Sequence, residues 1–562
     1  MASLALHHTR TVFPRLALPW QTAAASGVLL PAALAPTPLS WLNNGLQSLL
    51  ELFPPFLLAV PKKKVSHSRK SMRSADKGLK DKQNIVNCPG CGMPKLSHHL
   101  CAECYSSMTR QWKKETQADA ARVVEMLLYR AKAIRGTVNQ QPTMSLVSRS
   151  RFIRPFAMRA ASTTTPRGLP AILAKHPEDV VITFAKRTPI GRAKKGQWKD
   201  TPVDELLHGL FKATLAETKL DPSKIDDICV GTCHPPSPLY VSRAAALAAG
   251  IPHDVPISTV NRLCSSGLMA IRNIAHAIQA GETSIGLALG VENMSLNPRP
   301  TPEITEAVDK HAEAHDCIQP MGWTSEMVAQ TYKVSRKTQD CYAQISHSRA
   351  SDAQARGVFA DEILPVEIRG KVASNDDPIR AGVTVESLAG LKPVFPQWGE
   401  GSTTAGNASG VGDGAAICIL TTRARAEKEG MEILGKWVGS AVVGVEPKYM
   451  GISPIAAVPK VLAQYGLSKE DIDVFEINEA FASQFAYCVE QLQIPIEKIN
   501  PNGGAIAIGH PLGMTGVRQV VTGLAQLRRT GAKVLLTSMC VGSGMGAAGI
   551  FVNEAGRVAS KL

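Results

Sequence analysis

Between residues 179 and 552 the chain alternates short apolar runs with longer amphipathic ones. Val180-Val-Ile-Thr-Phe184, Asp227-Ile-Cys-Val230, Ile285-Gly-Leu-Ala-Leu289, Asp473-Val-Phe-Glu-Ile477 and Val534-Leu-Leu-Thr-Ser538 have the length and apolar character of buried strands. Residues 206–218 and 267–280 read as helices between them. Strands alternating with helices predict a layered α/β fold. The order also repeats. Residues 267–290 run as a small-residue turn, an amphipathic helix, a glycine-containing loop and an apolar strand. Residues 516–538 run the same way, with a helix over 517–527, a break at Gly531 and a strand over 534–536. A duplicated fold is expected, with each half supplying loops to a site between them.

The first 177 residues have a different texture. Residues 1–60 are rich in Ala, Leu, Ser and Thr, carry Arg10 and Arg15, and hold Glu51 as their one acid. They read as an import presequence or as a leader without a fold. Residues 116–135 read as one helix with Val123, Val124, Leu127 and Leu128 on one side. No acid occurs from Met126 to Pro177, and the stretch from Met144 to Arg167 is dominated by Arg, Ser and Thr. It reads as a second presequence-like stretch or as a basic linker. The simplest account is that two coding sequences have been joined. No run of 18 apolar residues occurs. The apolar stretch 45–60 is short and contains Glu51 and Pro54-Pro55, so no membrane span is expected.

Charge sharpens the division. The 562 residues carry a net charge of +15, and residues 61–114 hold 13 Lys and Arg against 3 acids. That asymmetry suits a polyanion partner for this segment. The arm Val60-Pro-Lys-Lys-Lys-Val-Ser-His-Ser-Arg-Lys has no apolar periodicity and suits threading between phosphates. Next come Cys88-Pro-Gly-Cys91 and Cys101-Ala-Glu-Cys104. Two C-x-x-C knuckles can close a tetrahedral four-thiolate zinc site, whose binding energy would fold a segment too small to fold alone. His98 and His99 are read as solvated or RNA-facing. The other cysteines are scattered through apolar surroundings, which points to a reducing compartment.

Four positions in the second part carry chemistry. Cys264, in Asn261-Arg-Leu-Cys-Ser-Ser-Gly267, opens a helix, where the dipole and free N–H groups are expected to lower its pKa. Cys540, in Ser538-Met-Cys-Val-Gly-Ser-Gly544, is expected in a loop after a strand, as an acid and base. His510, in Gly509-His-Pro-Leu-Gly513, is expected to accept the Cys264 proton and then hydrogen-bond a carbonyl oxygen. Asn478, in Asn478-Glu-Ala-Phe481, is expected to hold a water or donate into an oxyanion hole, or else to cap a helix. The glycines after Cys540 leave backbone N–H groups free to face a developing oxyanion. The combination suggests covalent thioester chemistry.

These motifs in this order resemble the thiolase family over residues 179–552. Gly406-Asn-Ala-Ser-Gly410, Asp413-Gly414, Met321-Gly-Trp-Thr-Ser-Glu326 and Ile379-Arg-Ala-Gly382 resemble its peroxisomal, β-oxidation type. The resemblance implies a duplicated α/β/α/β/α layered fold and cleavage of 3-ketoacyl-CoA by CoA to acetyl-CoA and a shortened acyl-CoA. It implies Cys264 as nucleophile and Cys540 as acid and base. One oxyanion hole would come from His510 with a water on Asn478, the other from the N–H groups of Cys264 and Gly542. Ser409 would orient the thioester, Arg380 and Ser387 would contact the nucleotide end of CoA, and Met321 would line the acyl pocket. Arg380 can equally be a solvated charge. No cofactor is implied besides CoA as substrate, and at least a homodimer is. A biosynthetic acetoacetyl-CoA thiolase is the alternative. A decarboxylating condensing enzyme would carry a second His where Cys540 stands. The sequence departs from the family pattern in Gly231-Thr-Cys-His-Pro-Pro-Ser-Pro-Leu-Tyr240 and at Met514.

Residues 58–115 resemble the bacterial-type ribosomal protein L32 family in its mitochondrial form, which implies rRNA as partner and a structural zinc. The expected organisation is therefore a leader over 1–60, arm and ribbon over 61–115, helix and linker over 116–177, two enzyme halves over 178–425 and 426–556, and a tail. The tail ends Ser560-Lys-Leu562, which reads as a peroxisome address recognised by an import receptor. It competes with the mitochondrial reading of the leader.

Overall fold

The computed structural model describes residues 85–88, 91, 94–96 and 167–557. The chain divides into two units, 1–156 and 157–562. In the first, β1 (Ile85–Asn87) and β2 (Pro94–Leu96) pair antiparallel, with Asn87 opposite Pro94. The leader, the basic arm, the 116–135 helix, the second presequence-like stretch, the tail, His98, His99, Cys101 and Cys104 lie outside the described residues.

The second unit is built on a sheet of ten strands. These are β3 (Val180–Arg187), β4 (Gly191–Arg192), β5 (Asp227–Gly231), β6 (Ile257–Val260), β7 (Ile285–Asn293), β10 (Gly412–Thr422), β11 (Gly435–Gly444), β12 (Val474–Ile477), β13 (Val534–Val541) and β14 (Met545–Asn553). A separate hairpin pairs β8 (Val366–Ile368) with β9 (Lys371–Ala373). The sheet order is β12-β13-β14-β11-β3-β10-β7-β5-β6, with β4 on β10. Within the sheet the halves join through Gly435 and Lys436 of β11 against Ile182 and Val181 of β3.

Each half repeats one topology. In the first, β5 runs parallel to β6 and β7, and β10 is antiparallel to β7 and β3. In the second, β12 runs parallel to β13, and β14 is antiparallel to β13 and β11. The counterpart of β6 is reduced to a parallel bridge between Phe475 and Ile499. The expected duplication is thus present in four strands of each half. Sequence patterning missed β6, β10, β11 and β14. Glycine and alanine interrupt β10 and β14, where small residues face a helix instead of marking turns.

Helices complete five layers. They are α1 (Val203–Thr218), α2 (Pro238–Ala248), α3 (Ser266–Gln279), α4 (Met321–Thr331), α5 (Arg336–Ala355), α6 (Pro454–Tyr465), α7 (Ala482–Leu492) and α8 (Leu512–Thr530). Leu268, Ile271 and Ile274 of α3 pack with Val517, Val520 and Leu524 of α8 in a core between the two half-sheets. Leu206, Leu207 and Phe211 of α1 cover the far face of the first half, against Leu287, Leu289 and Ile417. Val458 and Val461 of α6 and Phe485 of α7 cover that of the second, against Phe475, Leu536 and Ile550. Strands buried on both faces are apolar at successive positions instead of alternating, as 285–291 of β7 and 534–536 of β13 are, and both strands are buried along their whole length. The two central helices touch where side chains are absent. A Cβ on Gly267 would stand 2.6 Å from the Gly513 carbonyl oxygen, so α3 and α8 begin against each other. Among the described residues no helix is long and apolar enough to cross a membrane.

Candidate active site

Equivalent loops of the two halves, each at the start of a central helix, carry Cys264 and His510. Cys264 is the middle residue of a single 3-10 turn, Leu263–Ser265, that runs into α3. Leu263 adopts φ +45°, a region that side chains other than glycine rarely occupy. The turn is held by Asn261 Oδ1 accepting from the Leu263 N–H at 2.9 Å and Ser266 Oγ accepting from the Arg262 N–H at 2.9 Å. Cys264 is left 7% exposed. Its thiol pKa is pushed up to about 11, chiefly by burial, while the N–H groups of Gly542 and of Cys264 itself pull it back down. The expected lowering at the helix N-terminus is therefore overturned for the resting thiol. The amide contributions have the anticipated sign, but losing solvent outweighs them.

Cys540 lies within β13, opposite Gly546 of β14, and not in the loop expected from sequence. It is fully buried, and its thiol is held well above the ordinary range, first by burial and then by Cys264 and Cys488. The two thiols are thus near enough for the Cys264 charge to act on Cys540, although they are far apart in sequence. Gly542, two residues after Cys540, turns its N–H toward the Cys264 sulfur. A Cβ there would stand 2.8 Å from Leu263 Cδ1 and 3.7 Å from Met321 Sδ. Met321, the first residue of α4, therefore neighbours Gly542 and packs against the cluster that contains Cys540.

His510 is reached through Gly509 at φ +96° and is anchored by its N–H donating to the Gly410 carbonyl at 2.8 Å. Thr515 Oγ1 donates to the Pro511 carbonyl at 2.9 Å, which makes it the acceptor for His510 Nδ1–H at 2.7 Å. That leaves Nε2 as the unprotonated nitrogen, 3.3 Å from Asn478 Nδ2. Burial first, and then Arg518, bring the imidazole pKa down to about 3. The ring is therefore neutral at any working pH. Asn478 is not a helix cap, since α7 is capped by Phe481. It follows β12, donates its N–H to the Ser538 carbonyl at 2.9 Å, and leaves its buried Oδ1 without a partner. An unpaired buried amide oxygen beside an imidazole is where an ordered water belongs.

Three residues that sequence reasoning missed hold this arrangement. Thr515 sets the tautomer of His510. Glu292, at the end of β7, is fully buried and accepts the N–H groups of Cys233 (3.1 Å), His234 (3.0 Å) and Gly513 (2.9 Å). It so ties the first half to the His510 loop. An acid ending an otherwise apolar run was the available signal. Gln484 of α7 stands 3.4 Å from Cys540 Sγ.

Ser409 belongs to a loop tied to both neighbours. Its N–H donates to the Ala480 carbonyl at 3.0 Å, and the Asn407 carbonyl accepts from the Ala482 N–H at 2.8 Å. Arg380 and Ser387 are exposed and are not brought to the thiols. The Ser387 hydroxyl caps its own short helix with Thr384. In the departing segment, Pro238 and Ser237 (φ +50°) start α2, and Met514 is fully buried. In the first unit, Cys88 follows β1 and is buried, and Cys91 sits in the connection to β2 and is exposed. The other two cysteines of the expected zinc site are outside the described residues, among which no group of three or more His, Cys, Asp and Glu is placed to hold a metal ion.

Residues 180–424 match the thiolase N-terminal domain and residues 431–553 the thiolase C-terminal domain. Residues 59–113 match the ribosomal L32p protein family. Over 385 residues the chain is 49% identical to mouse (Mus musculus) 3-ketoacyl-CoA thiolase B, peroxisomal, covering 66% of this chain and 90% of that protein. The dimeric peroxisomal thiolase of Saccharomyces cerevisiae has the same fold, with 44% identity, a TM-score of 0.66, and coverage of 68% of this chain and all of that one. Human mitochondrial 3-ketoacyl-CoA thiolase in complex with CoA follows at 36% identity and a TM-score of 0.61, covering 67% and 98%.

Proposed function

The chain belongs to the thiolase family, and on that premise we propose that its second unit cleaves 3-ketoacyl-CoA with CoA, giving acetyl-CoA and a shortened acyl-CoA in fatty-acid β-oxidation. What supports the assignment of roles is that Cys540 feels the Cys264 charge, that the Gly542 N–H faces the Cys264 sulfur, and that Asn478 Nδ2 stands 3.3 Å from His510 Nε2.

Cys264 sulfur attacks the 3-keto carbon, and its proton passes to His510 Nε2. A thiol near 11 and an imidazole near 3 do not form an ion pair at rest, so the transfer is coupled to attack instead of preceding it. The electron pair of the C2–C3 bond leaves on C2 as the acetyl-CoA enolate, which takes the Cys540 proton. CoA then enters and gives its thiol proton to the Cys540 thiolate. Its sulfur takes the acyl group from Cys264, which recovers its proton from His510. One developing oxyanion faces the N–H groups of Cys264 and Gly542, and the other faces His510 Nε2–H and a water on Asn478. Ser409 orients the thioester, Met321 borders the acyl chain, and Arg380 and Ser387, both exposed, are read as contacts for the nucleotide end of CoA. CoA is a substrate, and the reaction uses no cofactor.

A second copy is the proposed partner of this unit. The edge strand β6 ends the sheet, and the neighbouring α2 exposes Leu239, Tyr240 and Leu247, an apolar patch of the kind that marks an interface. The peroxisomal names of the relatives support the peroxisome as the compartment of the enzyme. For residues 59–113 the proposed role is rRNA binding in a mitochondrial large ribosomal subunit. Cys88, Cys91, Cys101 and Cys104 would hold a structural zinc there.

The test is CoA-dependent loss of the magnesium-enolate absorbance of a 3-ketoacyl-CoA. Turnover by the full chain and none by Cys264→Ala is expected, and equal turnover by the variant would overturn the reading.

A further inference from the structure

Cys540 must exist as a thiolate between giving its proton to the enolate and taking one from CoA, yet among the described residues no cation is among the groups that shift its pKa. The titratable groups turned toward it are Cys264 from the start of α3 and Cys488 from α7, and both raise its pKa. The polar group it does meet is the Gln484 carboxamide, 3.4 Å from Sγ. Gln484 is 1% exposed and sits on the first turn of α7. Gly451 packs on its stem, where a Cβ would stand 2.7 Å from Gln484 Cβ.

One orientation of the amide satisfies both of its ends: Nε2, on the side of the sulfur, donates to the Asn478 carbonyl at 3.3 Å, while Oε1 accepts the Phe485 N–H at 2.8 Å. The reverse would set Oε1 against the Asn478 carbonyl and Nε2 against the Phe485 N–H. An amide nitrogen carries two protons. With one on the Asn478 carbonyl, the second remains for the sulfur, 3.4 Å away, and suits S⁻.

We propose that Gln484 is a positioning residue for Cys540 whose carboxamide N–H donates to the thiolate, holding the acid–base sulfur in reach of substrate while it is charged. The proposal rests on the assignment of Cys540 as acid and base. Its contact with the Asn478 carbonyl also couples the thiolate state to the residue that holds the water of the oxyanion hole.

The test uses the full chain and its Gln484→Met and Gln484→Glu variants. Deuterium exchange at C2 of acetyl-CoA reads Cys540, and acetyl labelling of Cys264 reads the nucleophile. A hydrogen bond to a charged group of this kind is worth about tenfold to hundredfold. Gln484→Met is expected to slow exchange by about that factor and move its pH profile upward, with far less change in labelling. Gln484→Glu keeps the shape and sets a carboxylate against the sulfur, so exchange is expected to fall further and to recover partly as pH is lowered. Unchanged exchange and profile in both variants, or labelling reduced as much as exchange, would overturn the proposal. Cys540→Ala separates the two readings. If it retains exchange, the role of Cys540 falls. If it abolishes exchange while the Gln484 variants do not move it, only the role of Gln484 falls.

Discussion

Replacing Glu292 by Gln tests how the two halves are held together around the chemistry. The carboxylate is fully buried, and its two oxygens accept three N–H groups. Oε2 takes those of Cys233 and Gly513, and Oε1 that of His234. A carboxamide has one oxygen. Its better orientation keeps Oε2 and sets an NH2 group against the His234 N–H. One hydrogen bond to a charged acceptor is lost, at about 1.5–3 kcal/mol, and a buried donor is left unmet, at about 1–3 kcal/mol. Burial already pushes the Glu292 pKa up, so removing the charge returns part of that. A net loss of about 2–4 kcal/mol is expected, together with a fall in kcat because Gly513 carries the His510 loop. Urea unfolding and steady-state thiolysis on the same preparations measure both. A variant within about 0.5 kcal/mol of the parent, the scatter ordinary for surface changes, and with unchanged kcat would refute the reasoning.

Thr515→Val removes the acceptor of His510 Nδ1–H, and kcat is expected to fall about tenfold to hundredfold, with Thr515→Ser restoring most of it in the same assay. Cys540→Ala is expected to abolish C2 proton exchange of acetyl-CoA while Cys264 still becomes acetylated, as read by mass spectrometry. Glu476 is fully buried and its pKa is raised to about 7, by desolvation outweighing Arg518. Between its ordinary value and 7 the folded chain holds a proton that the unfolded chain has lost. Stability should therefore fall as pH rises through that window, by up to about 3 kcal/mol. Urea midpoints of Glu476→Gln should lack that slope.

The candidate site was legible where chemistry needs a rare residue in a small-residue frame. Cys264, His510 and Cys540 stood out because glycines surround them, and the fold brings all three motifs together. The supporting residues were not legible. Thr515 and Gln484 are polar residues on helices, and nothing in their spacing says that they point inward to the imidazole and the thiol. The acidity of Cys264 was misread for a related reason. A helix start can be seen in sequence, but the depth of burial that opposes it depends on a half-sheet contributed from elsewhere in the chain. In the fold, strands such as β7 and β13 announced themselves by continuous apolar character. β10 and β14 did not, because the glycines and alanines that let the central helices pack close also dilute the strand signal.

The account depends on an acyl group carried by one particular sulfur. Brief exposure of the full chain to acetyl-CoA, followed by acid quench and peptide mass spectrometry, reads it directly. An acetyl group on the peptide containing Cys264, discharged by added CoA, is expected. Acetyl on Cys540 with Cys264 unmodified, or no adduct in a preparation that turns over, would contradict it.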